Sequence, residues 1–69
     1  MRYFDKNDRE IEKWMFLRHD NGEVKMVWPG FAEDGSPSLG FSASITEIYP
    51  LHQFDLSEWE ICDEAGNPL

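Results

Sequence analysis

Cysteine is almost missing from this chain of 69 residues, where Cys62 stands alone. No internal disulfide can form, and a single thiol suits a reducing compartment, so the cytoplasm is the expected location. Nowhere do about 18 apolar residues follow one another, which removes a membrane-spanning helix. Met1 leads into Arg2, Tyr3, Phe4 and Asp5 rather than an apolar run, so the start does not read as a secretory signal. Catalytic signatures are lacking as well: there is no G-x-S-x-G, no Walker loop, no H-E-x-x-H and no C-x-x-C, and the expectation is a protein that is not an enzyme. His19, His52 and Cys62 are the only soft metal ligands, and they lack paired spacing. No D-x-D-x-D-G loop is present for calcium, so neither metal nor cofactor is expected.

Positive charge is the most informative absence. All six Lys and Arg residues lie at or before Lys25, where Asp5, Asp8, Glu10, Glu12, Asp20 and Glu23 balance them. Residues 26–69 carry Glu33, Asp34, Glu47, Asp55, Glu58, Glu60, Asp63 and Glu64 with no base, so the whole net charge of −8 sits there. Membrane surfaces and nucleic-acid backbones both call for clustered cations, which excludes each as a direct ligand. What is abundant is large apolar side chains, at 41% hydrophobic and 14% aromatic, too many for a disordered acidic tail. The expectation is one folded domain, residues 1–69, small enough that a partner or a second copy would add to its stability.

The residue pattern predicts a mostly β fold, all-β or α+β, built as an antiparallel sheet of about four strands with at most short helical segments. Asn21-Gly22 reads as a two-residue hairpin loop, which pairs His19 with Val24, Leu17 with Met26 and Met15 with Trp28 on the core face. The other face then carries Trp14, Phe16, Arg18, Lys25 and Val27. A competing reading makes residues 8–17 a helix, with Asp8 as N-cap and Ile11, Trp14 and Met15 on one side. Trp28-Pro29-Gly30-Phe31 reads as a turn that ends the strand, and residues 32–38 as an exposed loop. Leu39–Tyr49 is rich in β-branched and aromatic residues and reads as one long or bulged strand, stopped by Pro50. Asp55 reads as the cap of a single helical turn with Glu58 three residues on. Residues 58–63 then alternate as a half-buried strand, with Trp59 and Ile61 inward and Glu58, Glu60 and Cys62 outward.

Two groups of residues are the candidate site. The acids Glu33, Asp34, Glu47, Asp55, Glu58, Glu60, Asp63 and Glu64 would form an acidic face, and Trp14, Phe16, Trp28 and Phe31 would anchor an interface. Carboxylates two apart on a strand lie about 6.6 Å from one another, whereas a DNA strand carries a charge every 3.4 Å or so. One strand is therefore too sparse to imitate DNA, and mimicry needs acids from several elements. In size, acidity and lack of catalytic residues the chain resembles the small inhibitors with which bacteriophages and mobile elements block host machinery, including anti-CRISPR and anti-restriction proteins. That resemblance implies an acidic DNA mimic, acting in the host-cell cytoplasm, whose partner is a host protein with a basic, nucleic-acid-binding surface. Residues 55–61, Asp-Leu-Ser-Glu-Trp-Glu-Ile, resemble the C-terminal strand of phage anti-defence sponges that sequester signalling nucleotides. A sponge offers positive charge to phosphate, and this half of the chain has none. Two other readings compete: a structural or adaptor domain forming a homodimer through an aromatic sheet face, its acidity serving solubility, and an aromatic slot for a small ligand.

Overall fold

Alternating apolar and polar residues, few strong helix signals and several turn-forming dipeptides give a chain that is mostly β. The computed structural model describes residues 2–42 and 47–69. Strands β1 (Tyr3–Phe4) and β2 (Glu10–Ile11) form a two-stranded ribbon. Strands β3 (Phe16–His19), β4 (Val24–Phe31), β5 (Pro37–Ser42), β6 (Ile48–Pro50) and β7 (Trp59–Cys62) form an antiparallel sheet in the order β6-β5-β4-β3-β7. One sheet of five strands with a separate ribbon thus replaces the expected four. Two single turns of 3-10 helix, Leu51–Gln53 and Leu56–Glu58, link β6 to β7. Asp55 caps the second by accepting the Ser57 N–H.

Several local expectations need correction. The chain does reverse between β3 and β4, but the loop is not the two-residue one. His19 donates to Glu23 O and accepts from Gly22 N–H, so Asp20, Asn21 and Gly22 make a three-residue loop with Gly22 at φ +93°. The longer loop shifts the register by one, pairing Phe16 with Met26, Leu17 with Lys25 and Arg18 with Val24. A one-residue slip exchanges faces, so Val27 is buried and Met26 and Trp28 lie on the opposite side. Gly22 has no atom near its would-be Cβ, so Gly22→Ala isolates the backbone term. It should lower stability by about 1 kcal/mol in urea unfolding, with native contacts intact.

Residues 8–17 form no helix, and Asp8 sits at φ +62° rather than at an N-cap. Trp28-Pro29-Gly30-Phe31 is not a turn: β4 runs straight through it, paired from Val27↔Phe41 to Phe31↔Pro37. Proline is tolerated there because Val27 bonds Trp14 and Met15 on the β3 side. By alternation the Pro29 backbone faces that same side, beyond the first residue of β3, where no ladder bond is lost. Pro37 and Ser38 also belong to β5 rather than to the preceding loop. Leu39–Tyr49 is two strands and not one, since β5 and β6 pair as Gly40↔Pro50, Phe41↔Tyr49 and Ser42↔Ile48; positions 43–46 of that expected strand lie outside the described residues. Cys62 does not face solvent. The chain folds back after Asp63 so that Pro68 bridges Cys62, and the thiol is buried. Burial and the nearby Asp63 charge raise its pKa, which keeps it protonated and unreactive.

The core is made by Leu17, Val27, Phe41, Leu51, Trp59 and Ile61, closed by Tyr3 and Ile11 from the ribbon. Phe41 packs tilted against Trp59 at 4.8 Å and edge-on to Phe54 at 4.9 Å, ring centre to ring centre. Burial of each such side chain contributes roughly 1.5–3 kcal/mol.

The ribbon is fastened by one carboxylate. Asp5 is buried, and its Oδ1 accepts the N–H groups of Asn7 and Arg9 while Oδ2 accepts that of Ile61, all at 2.9 Å. Lys6 N–H donates to Trp59 O beside it, at 2.8 Å. The loop between β1 and β2 therefore covers the outer edge of β7, which an open sheet would leave unpaired.

Candidate protein-binding site

The long hairpin of β4 and β5 overhangs the core, and its exposed end gathers most of the aromatic candidates. Trp14 reaches it through a backbone irregularity. Its N–H donates to Val27 O, while Val27 N–H donates to Met15 O, both at 2.7 Å. Two residues thus face one, which is a β-bulge, and Trp14 takes its first position at φ +70°. That position of a G1-type bulge is ordinarily glycine, because side chains are strained there. The bulge sets the Trp14 ring edge-on to Trp28 with centroids 5.1 Å apart. Both rings stay accessible, at 50% and 37% exposure. Opposite Trp28 stands Gly40, and the Ile48 side chain lies over it.

Phe31 is the most exposed ring, at 78%. By alternation its side chain follows Val27 and Pro29, on the core side of β4 but past the last core residue. It borders a hollow of about 400 Å³ between the β4–β5 loop and the first 3-10 turn, together with Glu33, Asp34, Pro50, His52 and Gln53. On the other flank of the hairpin, a groove of about 510 Å³ runs from Glu10, Glu12 and Trp14 to Pro37 and Leu39. The fold therefore makes two clusters along this hairpin, Trp14 with Trp28 on one face of β4 and Phe31 with Glu33 and Asp34 at the hollow on the other. Phe16 is set apart from them as a half-buried residue in mid-sheet, opposite Met26 and Cys62.

The remaining acids are dispersed. Glu47 precedes β6 and is exposed. Asp55 is spent on its cap, where it also bonds the Ser57 hydroxyl. Glu58 faces His19 at 3.4 Å, and its carbonyl accepts from Asp20 N–H. That bond places it at the start of β4, whereas the Glu33–Asp34 loop follows its end. Glu60 accepts from Asn7 and shares a polar hollow with Lys6, Arg18, His19 and Asp20. Asp63 accepts the N–H groups of Ala65 and Asn67, bonds that hold its pKa below the ordinary value. Glu64, just after it, is exposed. The eight acids thus do not share one flat face.

The bases find their ion-pair partners within their own third of the chain, although Glu60 lies across the strands from Arg18. Arg2 pairs with Glu10, Lys6 with Asp20, Arg9 with Asp5 and Lys25 with Glu23, all within residues 1–25. Among the described residues, none of the eight later carboxylates forms an ion pair with Lys or Arg. Among them also, no three His, Cys, Asp or Glu side chains converge as metal ligands, and no helix is long and apolar enough to cross a membrane. His19 packs against Trp59 at 4.8 Å, His52 lies at the hollow and Cys62 is buried, so the three are not neighbours.

Residues that sequence reasoning missed are Ile48, Pro50, His52 and Gln53. They join the site because the chain returns alongside β5, a contact no local signal announces. Comparison with protein-family models, with characterised proteins and with solved structures finds no match for the chain.

Proposed function

We propose that the protein is a binding inhibitor without catalytic activity, of the kind carried by phages and mobile elements, which covers a basic, nucleic-acid-binding surface of a target protein. Trp14 carries this reading. A bulky ring is held in a left-handed bulge and left half exposed, where glycine would sit without strain. Strain of this kind costs about 1–3 kcal/mol and concentrates at functional sites, and tryptophan is among the most enriched interface anchors. The eight carboxylates without Lys or Arg partners supply the second part. Of these, the exposed Glu33, Glu47 and Glu64 are the most available to a cationic surface, and the summed negative charge would accelerate its approach while repelling nucleic acid itself. A homodimer is less well supported, because it would bring together two chains of charge −8.

Trp14→Gly should leave stability within about 1 kcal/mol of wild type, because relief of backbone strain offsets the lost ring contact. Immobilised wild type should retain a nucleic-acid-binding protein from nuclease-treated cell lysate at low salt, and moderate salt should release it. Trp14→Gly, and separately the triple variant Glu33→Gln, Glu47→Gln, Glu64→Gln, should each lose most of that protein. Retention indifferent to salt and to both variants would mean that the acidity serves solubility alone.

A further inference from the structure

We infer that the hollow between the β4–β5 loop and the first 3-10 turn receives an arginine side chain of the partner protein. This inference rests on the binding reading above and names the chemistry of one contact within it. The hollow has two kinds of wall. Phe31 and Pro50 are apolar and suit the methylene stem of a long cationic side chain. The Phe31 ring is also exposed, and a guanidinium can stack on such a ring.

At the rim stand two carboxylates and no Lys or Arg. Both hydrogen bonds from Ser36, through its N–H and its hydroxyl, fall on Asp34 Oδ1. Asp34 Oδ2 therefore takes neither Ser36 bond, and the Glu33 carboxylate has no such bond among the described residues. Those Ser36 bonds hold the Asp34 pKa below its ordinary value, so the group stays charged. Guanidinium fits better than ammonium here, since its planar fork can stack on a ring and meet a carboxylate in the same pose. At about 400 Å³ the hollow lies near the lower end of ligand sites, a size for one side chain rather than a large cofactor. The other flank of the hairpin lacks this complementarity, because its groove includes Lys13 and its Glu10 is already held by Arg2.

The test needs no partner protein. A blocked pentapeptide, acetyl-Gly-Gly-Arg-Gly-Gly-amide, is titrated into the isotopically labelled protein and amide signals are followed by NMR. Saturable shifts are expected at residues 31–36 and 52–53. The same peptide with citrulline, which keeps the shape and loses the charge, should bind about tenfold or more weakly. Phe31→Ala and Glu33→Gln should each weaken the arginine peptide severalfold. Both side chains are exposed, and unchanged signals from the core verify the fold of each variant.

Shifts confined to Trp14 and Trp28, shifts spread evenly over all acids, equal binding of citrulline, or no saturation in the millimolar range would each overturn the assignment. Such a failure leaves salt-sensitive retention of a protein by Trp14 and the acids standing. Loss of that retention behaviour, with the peptide still bound at the hollow, would instead remove the inhibitor reading.

Discussion

Asp5→Ala is expected to cost roughly 3–5 kcal/mol, the largest loss from any single substitution considered for this fold. The change removes the acceptor of three backbone N–H groups, Asn7, Arg9 and Ile61. Each donor left without a partner in a buried site costs about 1–3 kcal/mol. It also removes the charge facing the Arg9 guanidinium at 3.8 Å. A domain of 69 residues has a total stability of roughly 3–10 kcal/mol, so a large share would go. Asp5→Asn should fall between, because one oxygen remains while an amide N–H₂ is set against a backbone donor. Urea unfolding of the three proteins checks the order.

The same group makes stability depend on pH. Burial acts to raise the Asp5 pKa, but the N–H groups of Ile61, Arg9 and Asn7 and the Arg9 charge outweigh it, so the pKa is lowered. A carboxyl with a depressed folded pKa stabilises the protein above its unfolded pKa, and that contribution is lost as pH falls through the folded value. Stability should therefore fall below about pH 4, the ordinary range for aspartate, more steeply in wild type than in Asp5→Asn. Equal slopes would show that Asp5 is not the group responsible.

Gly40→Ala should be the second most damaging change, at roughly 2–3 kcal/mol. A Cβ at this position would collide with Ile48 Cγ2 and lie 2.5 Å from the Tyr49 carbonyl oxygen. The backbone cannot yield as a flexible side chain would, so β5 and β6 must part. Hydrogen exchange should then quicken at Tyr49 and Pro50's neighbour Leu51, with β3 and β7 little affected. Because Gly40 is opposite Trp28, the variant should also weaken partner retention. Undisturbed exchange along β6 would show that the strands adjust at no cost.

How far the sequence foretold this molecule depended on the distance over which each signal acts. The Asp55 cap, the strand around Trp59 to Ile61 and the reversal near Asn21-Gly22 are local, and each has a counterpart in the fold. Pro29-Gly30 misled because its meaning depends on where β3 begins, which residues 28–31 do not encode. The reversal between β5 and β6 had no Gly, Pro, Asn or Asp to mark it in residues 42–47. Cys62 looked solvent-facing because alternation cannot anticipate that the chain folds back over it. Asp5 passed as one of six balancing acids, since its role appears only against Ile61, 56 residues away.

The candidate site was legible in the same uneven way. Phe31, Glu33 and Asp34 stay together because they are neighbours in sequence. Trp14 joins Trp28 only through the bulge, and the composition could not show that Asp34, Asp55 and Asp63 have carboxylate oxygens engaged in turns and caps. For that reason Glu33, Glu47 and Glu64, which have no such duty, are the better acids to neutralise than Glu58, Glu60 and Asp63.

The central claim is that the protein and nucleic acid exclude one another on the same partner surface. The direct measurement takes the protein retained from lysate, binds it to a labelled DNA or RNA ligand, and adds the wild-type chain at fixed salt. Competitive release of the nucleic acid, lost with Trp14→Gly and with the Glu33, Glu47, Glu64 triple variant, is the predicted result. A stable ternary complex, in which the partner holds both at once, would contradict it.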